Sequence, residues 1–360
     1  MPTVKESWSY HTGVPWRSSA DAWRTPAVAG DGTVYALGEH QLIALSASGQ
    51  LKWQYPDSGP PRFGPLLSVL IAEDGAIWGG TQFGWLIRIT AAGEAQPQFG
   101  GSVVINQLAL SPTGTLLVCG EKLSNTVSTA GFPKEGADIT RAIGPSIGSL
   151  KSAAFGSDAA VTVEEDTLAS WPLDFQQPNW RKKVGWGCHR PAIAKDGTIY
   201  VACADEMAAI NADGSSKWSF STKFPTPAVI AEDGTVFFAG LLDGTVYSFH
   251  PDGRLRWMFP VGKPVGSTPA ISRSGVIYVG SQNGNLYALD NSGTPLWVFK
   301  TKGEIGPLTI ASDGTVYVQT GDGMLYAIAQ PQNGGLAGQW PKLDADQSNT
   351  ARTIANQDEH

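Results

Sequence analysis

No apolar run in the 360 residues approaches the roughly 20 needed to cross a bilayer, so no transmembrane helix is expected. Charge is sparse: 16% of residues are charged, the formal net charge is −7, and Lys and Arg are scattered rather than blocked. A phosphate backbone therefore finds no basic stripe from which to displace counterions, which excludes nucleic acid as a partner class. The opening MPTVKESWSY has no apolar signal core, so the sequence reads as that of a soluble chain with no export leader. Cysteine is scarce too. Cys119, Cys188 and Cys203 fall in separate segments, with no adjacent pair and no CxxC spacing. An odd number without a framework argues against disulfides and against structural zinc, and all three are expected to be buried, inert thiols. Asp344, Asp346 and Ser348 alternate like part of a calcium loop, but the Gly and Glu that complete one are missing, so no metal is expected. Gly280-Ser281-Gln282-Asn283-Gly284 is not a nucleophile elbow, and glycine loops leading into helices are absent.

What the chain has in quantity is glycine, 43 residues, and proline, 24, against a hydrophobic content of 42%. That combination suits a buried protein with many tight turns. The stretch TPAISRSGVIYVGSQNGNLYALDNSGTPLWVFKTKG, Thr268 to Gly303, shows how they are used. Four runs of about five residues, rich in Val, Ile, Tyr and Trp, are separated by Ser274-Gly275, Asn283-Gly284 and Ser292-Gly293. Two-residue turns of that kind predict antiparallel hairpins in series. The first turn recurs at Asp31-Gly32, Asp74-Gly75, Thr113-Gly114, Ser157-Asp158, Asp196-Gly197, Asp233-Gly234, Ser274-Gly275 and Asp313-Gly314, at intervals of 43, 39, 44, 39, 37, 41 and 39 residues. Such spacing predicts one four-stranded sheet per repeat, arranged radially, and hence an all-β, eight-bladed β-propeller.

The ends of the chain predict how the ring closes. Ser7-Trp8-Ser9-Tyr10 matches the fourth strands centred on Trp53, Trp218, Trp257 and Trp297, yet lacks three strands of its own. The last repeat supplies only three strands between Leu308 and Ile328. Pairing the N-terminal strand with the C-terminal repeat removes two sheet edges. The repeats are about 26–55, 64–99, 106–143, 148–184, 190–220, 226–259, 268–299 and 307–329, with the outer strand at 5–10. Together they form one propeller domain over 1–352, expected to be monomeric, followed by a polar tail at 353–360. Repeats three and four depart furthest from consensus, with a Gly- and Pro-containing insert at Gly131–Gly136.

The unit DGTVY, NGNLYALD, SGTPLWVFKTKG resembles the PQQ-type repeat of quinoprotein-like bacterial propellers over essentially the whole chain. The segment WPKLDADQSNTAR, Trp340 to Arg352, is similar to one that accompanies many of them. The resemblance implies that fourth-strand tryptophans dock between blades, a structural role for Trp8, Trp53, Trp180, Trp218, Trp257 and Trp297. It also implies an extracytoplasmic location, at odds with the absent leader and unpaired thiols, so the compartment stays open. Quinone-dependent dehydrogenases of this group use an adjacent Cys-Cys pair and a calcium held by acidic residues. Neither is present, so no cofactor is expected.

In a propeller the first-to-second and third-to-fourth turns share one rim, and the second-to-third turns share the other with the connections between blades. The first rim is uniform Asp-Gly and Ser-Gly; the second varies. Arg24, Asn106, Lys151, Trp186, His189 and Arg190 gather there or at the starts of innermost strands, suggesting a channel mouth that contacts an anion or a carbohydrate. The function expected is a non-catalytic scaffold that binds a protein or an extended ligand on the variable rim. The alternative is a carbohydrate- or polymer-active enzyme, lyase or hydrolase, with His189 as acid or base and Arg24 or Arg190 stabilising charge.

Overall fold

The computed structural model describes residues 4–13, 25–38, 41–56, 64–100, 103–111, 116–122, 130–132 and 150–337. It is an eight-bladed, all-β propeller. Blade 1 is Ala27–Val28, Val34–Leu37, Leu42–Leu45 and Leu51–Tyr55. Blade 2 is Leu66–Ile71, Ile77–Thr81, Trp85–Ile89 and Ala95–Gly100. Blade 3 shows Val103–Leu110, Leu116–Lys122 and Ala130–Phe132, so Gly131 and Phe132, expected to begin an insert, instead pair with Leu117 and Leu116; residues 133–149 lie outside the described residues. Blade 4 is Leu150–Phe155, Ala159–Glu164, Thr167–Pro172 and Trp180–Lys183; one strand pair, Gly120 with Leu150, links it to blade 3, and Gln107 exchanges two hydrogen bonds with the backbone of Ala153. Blade 5 is Ala192–Ile193, Ile199–Cys203, Glu206–Ile210 and Ser216–Ser221; blade 6 is Val229–Ile230, Val236–Gly240, Thr245–Phe249 and Leu255–Pro260. Blade 7 is Ala270–Ile271, Ile277–Gly280, Asn285–Leu289 and Pro295–Lys300. Blade 8 joins Ile305–Ile310, Val316–Thr320 and Met324–Ile328 to the N-terminal strand Trp8–His11, which runs antiparallel with Trp8 opposite Ala327 and His11 opposite Met324.

Turn chemistry sets these hairpins. In the first-to-second turns Asp31 accepts the backbone N–H of Thr33, and Asp196, Asp233 and Asp313 repeat the contact with Thr198, Thr235 and Thr315. An Asp followed by a Gly that takes positive φ closes the turn with its own carboxylate. The hydrogen bonds to Thr33, with help from Lys52, hold Asp31 below the usual carboxylate range.

Apolar faces meet between blades, not within one sheet. Tyr35, Leu42 and Ala44 of blade 1 pack with Leu66, Val69 and Ile87 of blade 2, and Val28 and Ile43 pack with Tyr317 and Leu325 of blade 8. Trp8, Trp53, Trp218 and Trp257 each lean on an aromatic ring of their own blade, and these four and Trp180 reach into the next blade. Trp53 lies 5.7 Å from Tyr35 and donates its indole N–H to Ala91 O at 2.8 Å. Trp8 reaches Ala47 O, Trp180 reaches Ala212 O, Trp218 reaches Pro251 O and Trp257 reaches Asn291 O, all at 2.8–3.0 Å. Two residues beyond each acceptor stands a glycine with positive φ: Gly49, Gly93, Gly214, Gly253 and Gly293. A Cβ on any of them would lie 2.6–2.8 Å from the docked indole. The glycine thus serves twice, making the turn and leaving a seat for the neighbour's ring. Trp297 is set differently. Blade 8 takes its outer strand from the N-terminus and so has no third-to-fourth turn; Trp297 is buried in a cluster with Leu336, whose segment bridges to Ser272 and hydrogen-bonds to Arg273 N through Gly335 O.

Candidate functional site

On the second rim, blades 4, 5 and 6 are joined by a ladder of backbone hydrogen bonds. Val184 N donates to Asp166 O at 2.9 Å as the chain leaves blade 4. The connection then doubles back along blade 5, with His189 N donating to Ala202 O at 2.8 Å and Ala204 N to Trp186 O at 3.1 Å. Phe224 N donates to Ala204 O, Leu241 N to Phe224 O and Val265 N to Leu241 O, carrying the ladder into blade 6. Gly187, at φ 63°, lets the connection lie against Ala204.

Between the two hydrogen bonds of the connection, Cys188 and Cys203 form a disulfide, with Cα atoms 3.9 Å apart. This corrects the expectation of three free thiols. The two cysteines, 15 positions apart, close one hairpin, whose two arms place the sulfurs side by side although the sequence spacing resembles no known motif. Cys119 alone is free; burial pushes its thiol up to about 12, against a smaller opposing effect of the Arg190 charge.

The disulfide anchors Trp186, which is nonetheless 62% exposed and meets Phe224 edge-on at 6.1 Å. Leu242, in the following turn, is 57% exposed. Lys183 pairs with Asp166 at 3.3 Å and Lys223 pairs with Asp205, flanking this apolar corner. Behind it, Asp243 accepts from Tyr247 Oη and Thr222 Oγ1 at 2.9–3.0 Å.

The six residues singled out from the sequence fare differently. Trp186, His189 and Arg190 share the stapled connection. His189 and Arg190 are half-buried, and desolvation, with the Arg190 charge beside it, lowers His189 to about 4. The imidazole is therefore neutral at physiological pH. Lys151 sits half-buried at a register shift in the inner strand of blade 4, and Asn106 occupies the equivalent shift in blade 3. Arg24 lies outside the described residues, as do positions 133–136 of the insert expected at Gly131–Gly136 and the segment 340–352. Among the described residues no group of three or more His, Cys, Asp or Glu is placed to hold a metal ion, and no helix is long and apolar enough to cross a membrane. Sequence reasoning missed Phe224, Leu242 and the disulfide.

Comparison with known proteins adds to this geometry. Residues 242–357 match the family model described as outer membrane protein assembly factor BamB. The outer membrane protein assembly factor BamB of Nitrosomonas eutropha is 30% identical over 109 residues, a stretch that is 28% of this chain and only 27% of that protein. Among solved structures, BamB from Moraxella catarrhalis superposes with a TM-score of 0.69 at 16% identity, covering 91% of this chain and 100% of that one. The C-terminal WD40 domain of Sif2 gives 0.71 at 13%, covering 91% and 99%. At those identities the structures speak for the fold alone. The chain is an eight-bladed propeller whose residues 242–357 are similar in sequence to the outer membrane protein assembly factor BamB.

Proposed function

We propose that the chain is a non-catalytic scaffold that docks a partner protein on its second rim, as part of the assembly of outer-membrane proteins. The observation that carries this reading is Trp186: a large aromatic side chain, 62% exposed, on a connection held by a disulfide and a backbone hydrogen bond on either side. Exposed tryptophans on rigid supports are what protein interfaces use as anchors, because little entropy is lost when they are covered. The sequence similarity to an outer membrane protein assembly factor supports the process named, and a disulfide suits a chain that matures in an oxidising compartment. His189 and Arg190, beside the anchor, border the contact rather than perform chemistry in it.

The test is site-specific photocrosslinking in the native host. A benzophenone amino acid at position 186 or 242 gives discrete high-mass adducts with an envelope protein, whereas one at position 48 or 292, on the opposite rim, gives none. Adducts of equal yield from both rims, or from neither, refute the reading.

A further inference from the structure

The exposed corner between blades 4, 5 and 6 restricts what covers it. Its apolar part is small. Trp186 is 62% exposed and Leu242 57%, with Phe224 half-buried between them. Those side chains offer on the order of 300 Å² of accessible surface, well short of the roughly 800 Å² per partner that a stable globular interface buries. A second copy of this chain placed face to face is thus a poor match, whereas one or two apolar side chains of a linear segment fit.

Charge limits the occupant further. The chain as a whole carries −7, and on this corner the exposed Glu165 stands next to Asp166 in the blade 4 turn, yet in both ion pairs that flank the apolar side chains the lysine is the outer partner. In the pair beside Trp186, the Lys183 side chain is 84% exposed and Asp166 48%. In the pair beside Phe224, Lys223 is 69% exposed and Asp205 58%. Each ammonium stands further into solvent than its carboxylate, and water screens surface pairs of this kind so that they hold their partners weakly, which lets an incoming carboxylate share or replace either acid. Asp243, the acid of the blade 6 turn, is already engaged by Thr222, Tyr247 and the Thr245 N–H, and so opposes such a ligand less than a free carboxylate would. Lys263, on the connection after blade 6, extends the positive side, while Glu206 is half-buried in the strand behind.

From these observations we infer that the corner is a docking site for a linear segment of a partner protein, in which an apolar or aromatic anchor covers Trp186, Phe224 and Leu242 and flanking Asp or Glu residues meet Lys183 and Lys223. The inference rests on the docking reading above and adds the chemistry of what docks.

Panning a phage-displayed random 12-residue peptide library on the full chain tests it. Recovered peptides combine an apolar or aromatic residue with Asp or Glu, bind more weakly as salt rises, and lose about tenfold or more in affinity to Trp186→Ala, a loss typical of an interface anchor. The charge-reversed pair Lys183→Glu with Lys223→Glu, which leaves the buried core untouched, weakens them similarly and selects Lys- or Arg-bearing peptides instead. Peptides without acidic residues, or peptides that bind the charge-reversed protein as well as the parent, overturn the inference, as does recovery of no binder. A concentration-dependent dimer in sedimentation that Trp186→Ala abolishes also overturns it, in favour of a second copy. Crosslinks from position 186 to an envelope protein alongside charge-indifferent peptides leave the docking reading standing and remove only the acidic segment.

Discussion

Gly253→Ala isolates the contact that joins one blade to the next. Gly253 has φ +89°, and a Cβ there would stand 2.6 Å from Trp218 Cγ. Gly275, in a first-to-second turn, has φ +79° with nothing within 4 Å of its Cβ position. Both substitutions force alanine into the left-handed region, at a cost of about 1–2 kcal/mol, less a few tenths regained from a stiffer unfolded chain. Only the first also evicts an indole. Trp218 then loses its hydrogen bond to Pro251 O at 3.0 Å and its stacking on Phe249 at 5.5 Å between ring centres. At about 1–1.5 kcal/mol each for the hydrogen bond and the aromatic contact, the additional loss is roughly 2–3 kcal/mol. Urea denaturation of the two variants therefore gives about 3–5 kcal/mol for Gly253→Ala against about 1–2 for Gly275→Ala. Repeating Gly253→Ala in a Trp218→Ala background brings its cost down to that of Gly275→Ala, because the steric conflict is gone. Equal losses at the two glycines, or an undiminished loss without Trp218, would show that turn strain and not the indole seat sets the cost.

Three further outcomes follow from the same structure. Denatured and unreduced protein takes up one maleimide, on Cys119, and three after reduction, while Cys188→Ser with Cys203→Ser lowers stability by about 3 kcal/mol for a loop of this length; three adducts without reductant would remove the staple. His189 titrates near 4 when folded against an ordinary value of 6.5, so its neutral form contributes stability that is complete above pH 6.5 and lost as pH falls through 4. His189→Gln flattens that part of the pH–stability curve, and an unchanged acid limb would place the titration elsewhere. Arg181 donates to Glu164 at 2.6 Å and covers the Trp171 ring at 5.2 Å, while the Glu164 side chain is only 9% exposed. Arg181→Ala thus costs about 2–4 kcal/mol by leaving that carboxylate without its partner, and adding Glu164→Gln returns most of it in thermal or urea melts; no rescue would mean the cost is lost packing alone.

How far the sequence discloses this molecule depends on whether a feature is repeated. The Asp-Gly turns, the tryptophan in the fourth strand and the mid-repeat start are copied many times or matched end to end, so blade number and ring closure are legible from spacing. The seat glycines are legible by the same logic: Gly49, Gly93, Gly214, Gly253 and Gly293 each stand in a third-to-fourth turn, one blade on from an indole. Features that occur once leave no period to read. Cys188 and Cys203 look unrelated at a separation of 15, and only hairpin register brings them together. Ala192 pairs with Tyr200 and Ile193 with Ile199, and extending those arms outward, with one irregular residue between, sets Cys188 beside Cys203. Register was therefore the available signal, and motif spacing was the wrong ruler. The same holds for the apolar corner: Trp186 stands out by composition, but Phe224 and Leu242 are 38 and 56 residues further along and become its neighbours only through the backbone ladder linking the connections. A propeller thus writes its scaffold in the repeat and its docking surface in the departures from it, so the residues that decide a partner are the ones for which the chain offers no second copy to compare.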